Sequence, residues 1–172
     1  MRALYRIGQG LRALTTWLQP VEDERAERIL PPALYALYRR MGRSERQHSL
    51  RVLRELQSAG HDDPDLLVAA LLHDVGKTRA RFTVFDKTLV VLVKAIAPRY
   101  YWRWGSGTSR GWRRPFAVSV QHPAWGAEMV AEAGGSPRVV ELIARHQQAL
   151  NSPPQTETDH LLLALQAVDD AS

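Results

Sequence analysis

Asp62-Asp63-Pro64-Asp65-Leu66-Leu67-Val68-Ala69-Ala70-Leu71-Leu72-His73-Asp74-Val75-Gly76-Lys77 is the stretch on which the fold turns. Asp62-Asp63-Pro64 opens a helix, with proline at an early position where its missing N–H is no loss. The helix is expected from Pro64 to about Asp74. His73 follows Leu66, Ala69 and Ala70 at seven, four and three residues, so it lies on the apolar face. An unpaired carboxylate beside it, Asp74, would be costly to bury. A metal ion would remove that cost.

Outward from this stretch the periodicity stays helical. Leu4, Ile7, Leu11, Leu14, Leu18 and Val21 form one stripe on a first helix that Pro20 ends or kinks. Pro31-Pro32 breaks the next segment and leaves a helix from about Ala33 to Met41. Ser44 can cap a helix to about Ala59, stopped by Gly60. Val84 to Ala97 is another, closed by Pro98. Residues 98–121 read as a loop, and Pro123 as the start of a helix ending near Gly134-Gly135. Ser136-Pro137 begins one that runs to about Leu150, and Asp159 begins the last. No run of strands is visible. The fold class expected is all-α, a compact multi-helix bundle, with 1–43 as a helical extension packed on a domain at 44–172.

Bulk properties narrow the chemistry. The 172 residues contain no Cys, so disulfides and thiolate ligands are excluded and any metal must sit on N and O atoms. The N-terminus lacks an uninterrupted apolar leader segment, and the longest apolar run is broken by Lys94, so a cytoplasmic protein is expected. The net charge of +5 is uneven. Between Lys77 and Arg114 stand ten Lys/Arg and one acid, Asp86, a local +9, which favours an anionic partner.

Four of the six histidines join two aspartates in the order His48, His73-Asp74, His122, His146, Asp169. His146 follows Leu142 and Ile143 at four and three residues. Asp169 follows Leu162 and Leu165 at seven and four, a register that favours it over Asp170. His48 precedes Val52 and Leu56 at four and eight. Each polar group projects from an apolar face toward one interior. Neutral imidazole and carboxylate are ligands for Fe, Mn, Zn or Co, and such a His-rich set disfavours Mg. His61 and His160 sit beside Asp in polar turns and read as solvated.

The string Leu71-Leu72-His73-Asp74-Val75-Gly76-Lys77 resembles the signature of the HD-domain superfamily, mostly metal-dependent phosphohydrolases. Arg46-Gln47-His48-Ser49 resembles its first His. His122-Pro123 with Gly126-Ala127, and Ile143-Ala144-Arg145-His146, resemble the later His helices of its two-metal branch. Ala167-Val168-Asp169 resembles the closing Asp. The resemblance implies that His48, His73, Asp74 and Asp169 hold a first divalent ion. Asp74 would bridge, with His122 and His146 completing a second site. It further implies a metal-activated water that attacks phosphorus. Lys77, one turn beyond Asp74, would reach a phosphate oxygen. Asp74 and Lys77 are the catalytic candidates.

Two departures bear on activity. His146 is followed by Gln147-Gln148-Ala149-Leu150-Asn151 rather than the Gly-Tyr-Pro of cyclic-di-GMP phosphodiesterases, and Ser44 stands where a third-metal carboxylate is found. The short form is more similar to small bacterial HD hydrolases of nucleotides. The basic-aromatic segment at about 98–121 is an insertion outside that pattern. Its Arg99, Arg103, Arg110, Arg113 and Arg114 interleave with Tyr100, Tyr101, Trp102, Trp104 and Trp112. Three uses fit: a lid that grips substrate phosphates, a peripheral membrane contact, or a surface loop. The expected function is a phosphohydrolase acting on a nucleotide-like anion. The alternatives are a di-iron oxygenase of the same ligand set and a non-catalytic sensor or membrane-associated module. No nucleic-acid motif is present, and oligomeric state is not legible.

Overall fold

A computed structural model describes residues 21–80, 82–108, 110–150 and 152–172. The stripe from Leu4 to Leu18 lies outside them. Among the described residues the chain is all-α, without a strand. The helices are α1 (Asp23–Ile29), α2 (Pro32–Arg40), α3 (Arg43–Ser58), α4 (Pro64–Leu72), α5 (Val84–Ile96), α6 (Pro98–Gly105), α7 (Arg114–Glu132), α8 (Pro137–Arg145) and α9 (Glu157–Ala171). Two 3-10 turns, Val75–Arg79 and Gly111–Arg113, stand between them.

Local chemistry sets most boundaries. The Asp63 carboxylate caps α4 by accepting from the Leu66 N–H at 3.0 Å. Ser136 caps α8 through the Val139 N–H, and Pro137 follows it at the first helical position. Gly60 takes φ +86° just past α3, where a side chain would be strained. Four expected boundaries are corrected. Ser44 lies inside α3, and Gly42 precedes that helix without a side-chain bond. Asp159 is the reciprocal member of a capping box whose cap is Thr156, so α9 starts two residues earlier than expected. Helices α4 and α8 end at Leu72 and Arg145, short of the expected Asp74 and Leu150.

The core forms around α4, whose Leu66, Ala69, Ala70, Leu71 and Leu72 are fully buried. Leu53 and Leu56 of α3, Leu142 and Ile143 of α8, and Leu162 and Leu165 of α9 close on it. Ala26, Leu30, Leu34, Tyr38 and Met41 join the same core from α1 and α2. Asp23 ties those helices together: it accepts from the Tyr38 hydroxyl at 3.1 Å and pairs with Arg39 and Arg46. Burial and Asp23 push the Tyr38 hydroxyl above its usual pKa.

The expected loop over 98–121 is overturned. It folds as α6, a 3-10 turn and the first two turns of α7, because its aromatics build a second small core. Val90, Tyr101 and Phe116 are buried there, with Phe82, Trp104 and Val120 against them. Gly105 makes this possible: a Cβ on it would lie 2.3 Å from a Val120 methyl. The Gln121 amide donates to the Gly105 and Gly107 carbonyls at 2.6 and 2.8 Å, closing the end of α6. Pro123, expected to start a helix, lies inside α7.

Candidate metal centre

The His73-Asp74 pair stands at the joint between α4 and the 3-10 turn that follows. That turn presses onto α7 because both sides lack side chains at the crossing. A Cβ on Gly76 would meet the His122 carbonyl oxygen at 2.0 Å, and Gly126 faces the Gly76 amide. Asp74 and His122 are brought together by this approach, with Asp74 Oδ1 3.3 Å from His122 Nε2. His146 closes from the end of α8. His48 of α3 and Asp169 of α9 meet at 2.8 Å, Nε2 to Oδ1. Gln166, one turn before Asp169, donates to the Arg145 and Gln148 carbonyls and so ties α9 to the His146 turn.

All six residues singled out for ligation therefore converge, in two triads. His48, His73 and Asp169 form one, and Asp74, His122 and His146 the other; the ligating atoms within each lie within 4.8 Å of one another. Donors sharing one ion at about 2.0–2.2 Å lie at most about 4.4 Å apart, so small shifts fit an ion to either triad. Asp170 is exposed and takes no part. His160 is exposed but lies within α9, whereas His61 is half-buried rather than solvated.

The buried imidazoles share one device. His73 Nδ1 donates to the Ala70 carbonyl at 2.9 Å, and His146 Nδ1 to the Ile143 carbonyl at 2.8 Å. Both rings sit just past the end of a helix, where the last carbonyls lack helical partners. Each ring takes a carbonyl of the turn before it. His122 is mid-helix and achieves the same end through Pro123. A proline has no N–H to give the Ser119 carbonyl, and His122 Nδ1 donates to it at 3.0 Å and to the Val118 carbonyl at 3.1 Å. A carbonyl only accepts, so the proton is on Nδ1 in all three. Each Nε2 lone pair then points into the centre, and all three Nε2 atoms are buried without a hydrogen-bond partner.

Electrostatics also calls for a cation. His122 and His73 turn their Nε2 atoms toward Asp74 and Asp169 oxygens at 3.3 and 3.4 Å. Lone pair against carboxylate is repulsive unless a positive charge lies between. Burial opposes ionisation of Asp74, yet Lys77, His73 and His122 outweigh it and hold the carboxyl well below its usual range. Burial likewise opposes ionisation of Asp169, and the bond to His48 and the proximity of His73 depress it further than burial raises it. Burial pushes His146 down to about 3, with His73 and His122 adding to the effect, so it stays neutral. Burial also lowers His122. His73 is raised: burial is outweighed by Asp74 and Asp169. The arrangement of oriented imidazoles and ionised carboxylates suits divalent metal.

An open cleft of about 400 Å³ reaches His48, Asp74 and His122. Lys77 lines it, with Nζ 2.6 Å from Asp74 Oδ2. Arg51, three residues after His48 on α3, lines it too and keeps a buried Nε without a partner. Arg51 is not among the residues singled out from the sequence, although its spacing from His48 puts it on the same helix face. Phe82, Val90 and Val91 make an apolar wall. A second cleft of about 310 Å³ reaches His146 and Asp169 on the other side of the centre. Arg99, Arg103, Arg110, Arg113 and Arg114 are not among the residues lining either cleft. Arg114 instead pairs with Asp86 at 3.4 Å, and Arg113 lies over the Trp112 ring. No helix among the described residues is long and apolar enough to cross a membrane.

Neither a curated protein nor a solved structure matches the chain. The family model of the HD domain matches residues 46–171, a span that takes in all six converging side chains. With that match over most of its length, and the HD pair itself at the joint of α4 and the turn, the chain belongs to the HD-domain family.

Proposed function

We propose that this chain is a two-metal phosphohydrolase that cleaves an ester or anhydride bond of a small phosphate-bearing molecule, nucleotide-like in character. The observation that carries the reading is the set of three buried imidazoles, each with Nδ1 pinned to a carbonyl and Nε2 left without a partner. His48, His73 and Asp169 would hold one divalent ion and Asp74, His122 and His146 the other, with Asp74 shared. When bound, such ions lower the pKa of a water and offset charge on phosphoryl oxygens. Fe, Mn, Zn or Co suits the His-rich donors better than Mg.

The chain's own residues supply the remainder. Lys77 stands at the cleft beside Asp74 and can donate to a phosphoryl oxygen as a point charge. Arg51 offers a guanidinium from the facing helix. Phe82, Val90 and Val91 give an apolar surface against which a base or other flat group can rest while water is excluded. The same six ligands also serve oxygenase chemistry, but two cations at the mouth of the site favour a phosphate substrate.

The test is product release from a panel of nucleotides, dinucleoside polyphosphates and cyclic dinucleotides. The protein is loaded anaerobically with Mn²⁺ or Fe²⁺, with Asp74→Ala as the blank. Metal-dependent cleavage that the blank loses is the expected result. Silence across the panel with two ions bound, together with substrate-dependent oxygen uptake, would replace the reading with the oxygenase one.

A further inference from the structure

Helix α5 is amphipathic the wrong way round for a soluble protein. Its inner side carries Val90, Lys87 and Lys94, whereas Phe85, Leu89, Leu92 and Ile96 recur at four, three and four residues and form one stripe on its outer side. Those four are 88, 42, 54 and 73% exposed, and Val91 beside them is 67% exposed. Thr88 and Ala95 complete the outer arc, so no charge interrupts it. The apolar surface continues past Pro98. Tyr100 rests on Trp104, Trp104 on Trp112, and Tyr100, Trp102 and Trp112 are all more than half exposed. A patch of this size on a soluble domain marks an interaction surface.

The charges around it identify the partner. Arg99, Arg103, Arg110 and Arg113 are exposed and have no carboxylate partner among the described residues. An uncharged aliphatic stripe, rimmed by arginines and by Trp and Tyr rings, matches the boundary between headgroups and acyl chains. We propose that the outer face of α5 and α6 docks the protein on the surface of an anionic lipid bilayer. A second copy on a two-fold axis would set Arg99, Arg103, Arg110 and Arg113 against their own counterparts. Residues 1–20 would also meet like charge, since they hold Arg2, Arg6 and Arg12 and no acid. Inner residues of α5 line both clefts of the metal centre, so the docked helix would lie between the bilayer and that centre. The docking stands independently of the reaction at that centre.

The experiment is flotation of the full chain at low salt with vesicles. One set is phosphatidylcholine alone; the other contains roughly one third phosphatidylserine. Capture by the anionic vesicles alone is expected, with release at high salt and a blue shift of tryptophan emission on binding. Leu92→Asp, and separately the pair Phe85→Ser with Leu89→Ser, should each lower capture by roughly tenfold or more. Arg99→Gln with Arg103→Gln should do the same through charge. Unchanged far-UV circular dichroism would show that each variant is folded, as their exposure leads one to expect. Absence of capture by anionic vesicles would overturn the proposal. In that case a dimer dispersed by Leu92→Asp would give the face to a second copy, and a monomer would leave residues 1–20 to cover it. Capture that survives all three variants would overturn it as well.

Discussion

His146 shows how much one side chain can decide. Its folded pKa of about 3 lies below the ordinary 6.5, so unfolding takes up a proton between those values. In metal-free protein the stability tied to keeping this ring neutral is complete above about pH 6.5 and is lost as pH falls toward 3. His122 is also lowered and acts in the same direction. His73 is raised, so its contribution is present at low pH and lost as pH rises. His73 is protonated in both states below about pH 6 and adds no slope there, so proton uptake by His146 on unfolding should cost the EDTA-treated chain on the order of 1.4 kcal/mol per pH unit between about pH 6 and 4. Urea midpoints measured across that window check it, and a flat profile would contradict it. Lys77 makes a different demand. Lys77→Ala should leave both ions bound while lowering turnover by roughly ten- to a hundredfold; loss of the ions would make its role structural rather than substrate-facing.

At the scale of elements, three helices end or break to suit a histidine. Apolar periodicity carries α4 to Asp74 and α8 to Leu150, since it does not report where a ring takes over a carbonyl. The proline in His122-Pro123 is legible as a helix signal, but it lies within α7 rather than at a helix start. Mid-helix, it frees the Ser119 carbonyl for the imidazole. Pro123→Ala should therefore stabilise the metal-free protein, since an interior proline costs about 3 kcal/mol. The same change should weaken metal binding roughly tenfold, as the new amide competes with His122 for that carbonyl. Thermal unfolding and metal titration together test this; equal affinity in the variant would dismiss the proline's part. Gly76→Ala drives a Cβ into the His122 carbonyl. It should cost about 1–3 kcal/mol and separate Asp74 from His122, which melting of the variant and its metal content would report.

For the whole molecule, the six converging residues are legible because each polar group interrupts an apolar face at helical spacing: His73 after Ala69 and Ala70, Asp169 after Leu165. Residues 98–121 are not. Their alternation of Arg with Trp and Tyr resembles a loop until Tyr101 and Phe116 are seen to share a core that depends on Gly105 packing against Val120. The contacts that decide that segment lie between elements, and no local pattern announces them. The six converging side chains come from α3, the α4 joint, α7, α8 and α9, so bound ions would clamp most of the bundle at once. Removal of each ion should lower the melting temperature by roughly 5–10 °C, taking about 2.7 kcal/mol for an ion at a hundredfold its dissociation constant.

The most direct test is metal stoichiometry by elemental analysis, on wild type and Asp74→Ala reconstituted side by side with Mn²⁺ or Fe²⁺. Two triads bridged by Asp74, the arrangement proposed, require two ions per wild-type chain and close to none in the variant. One ion or none in the wild type, or a variant that keeps both, would contradict the two-metal centre on which the account rests.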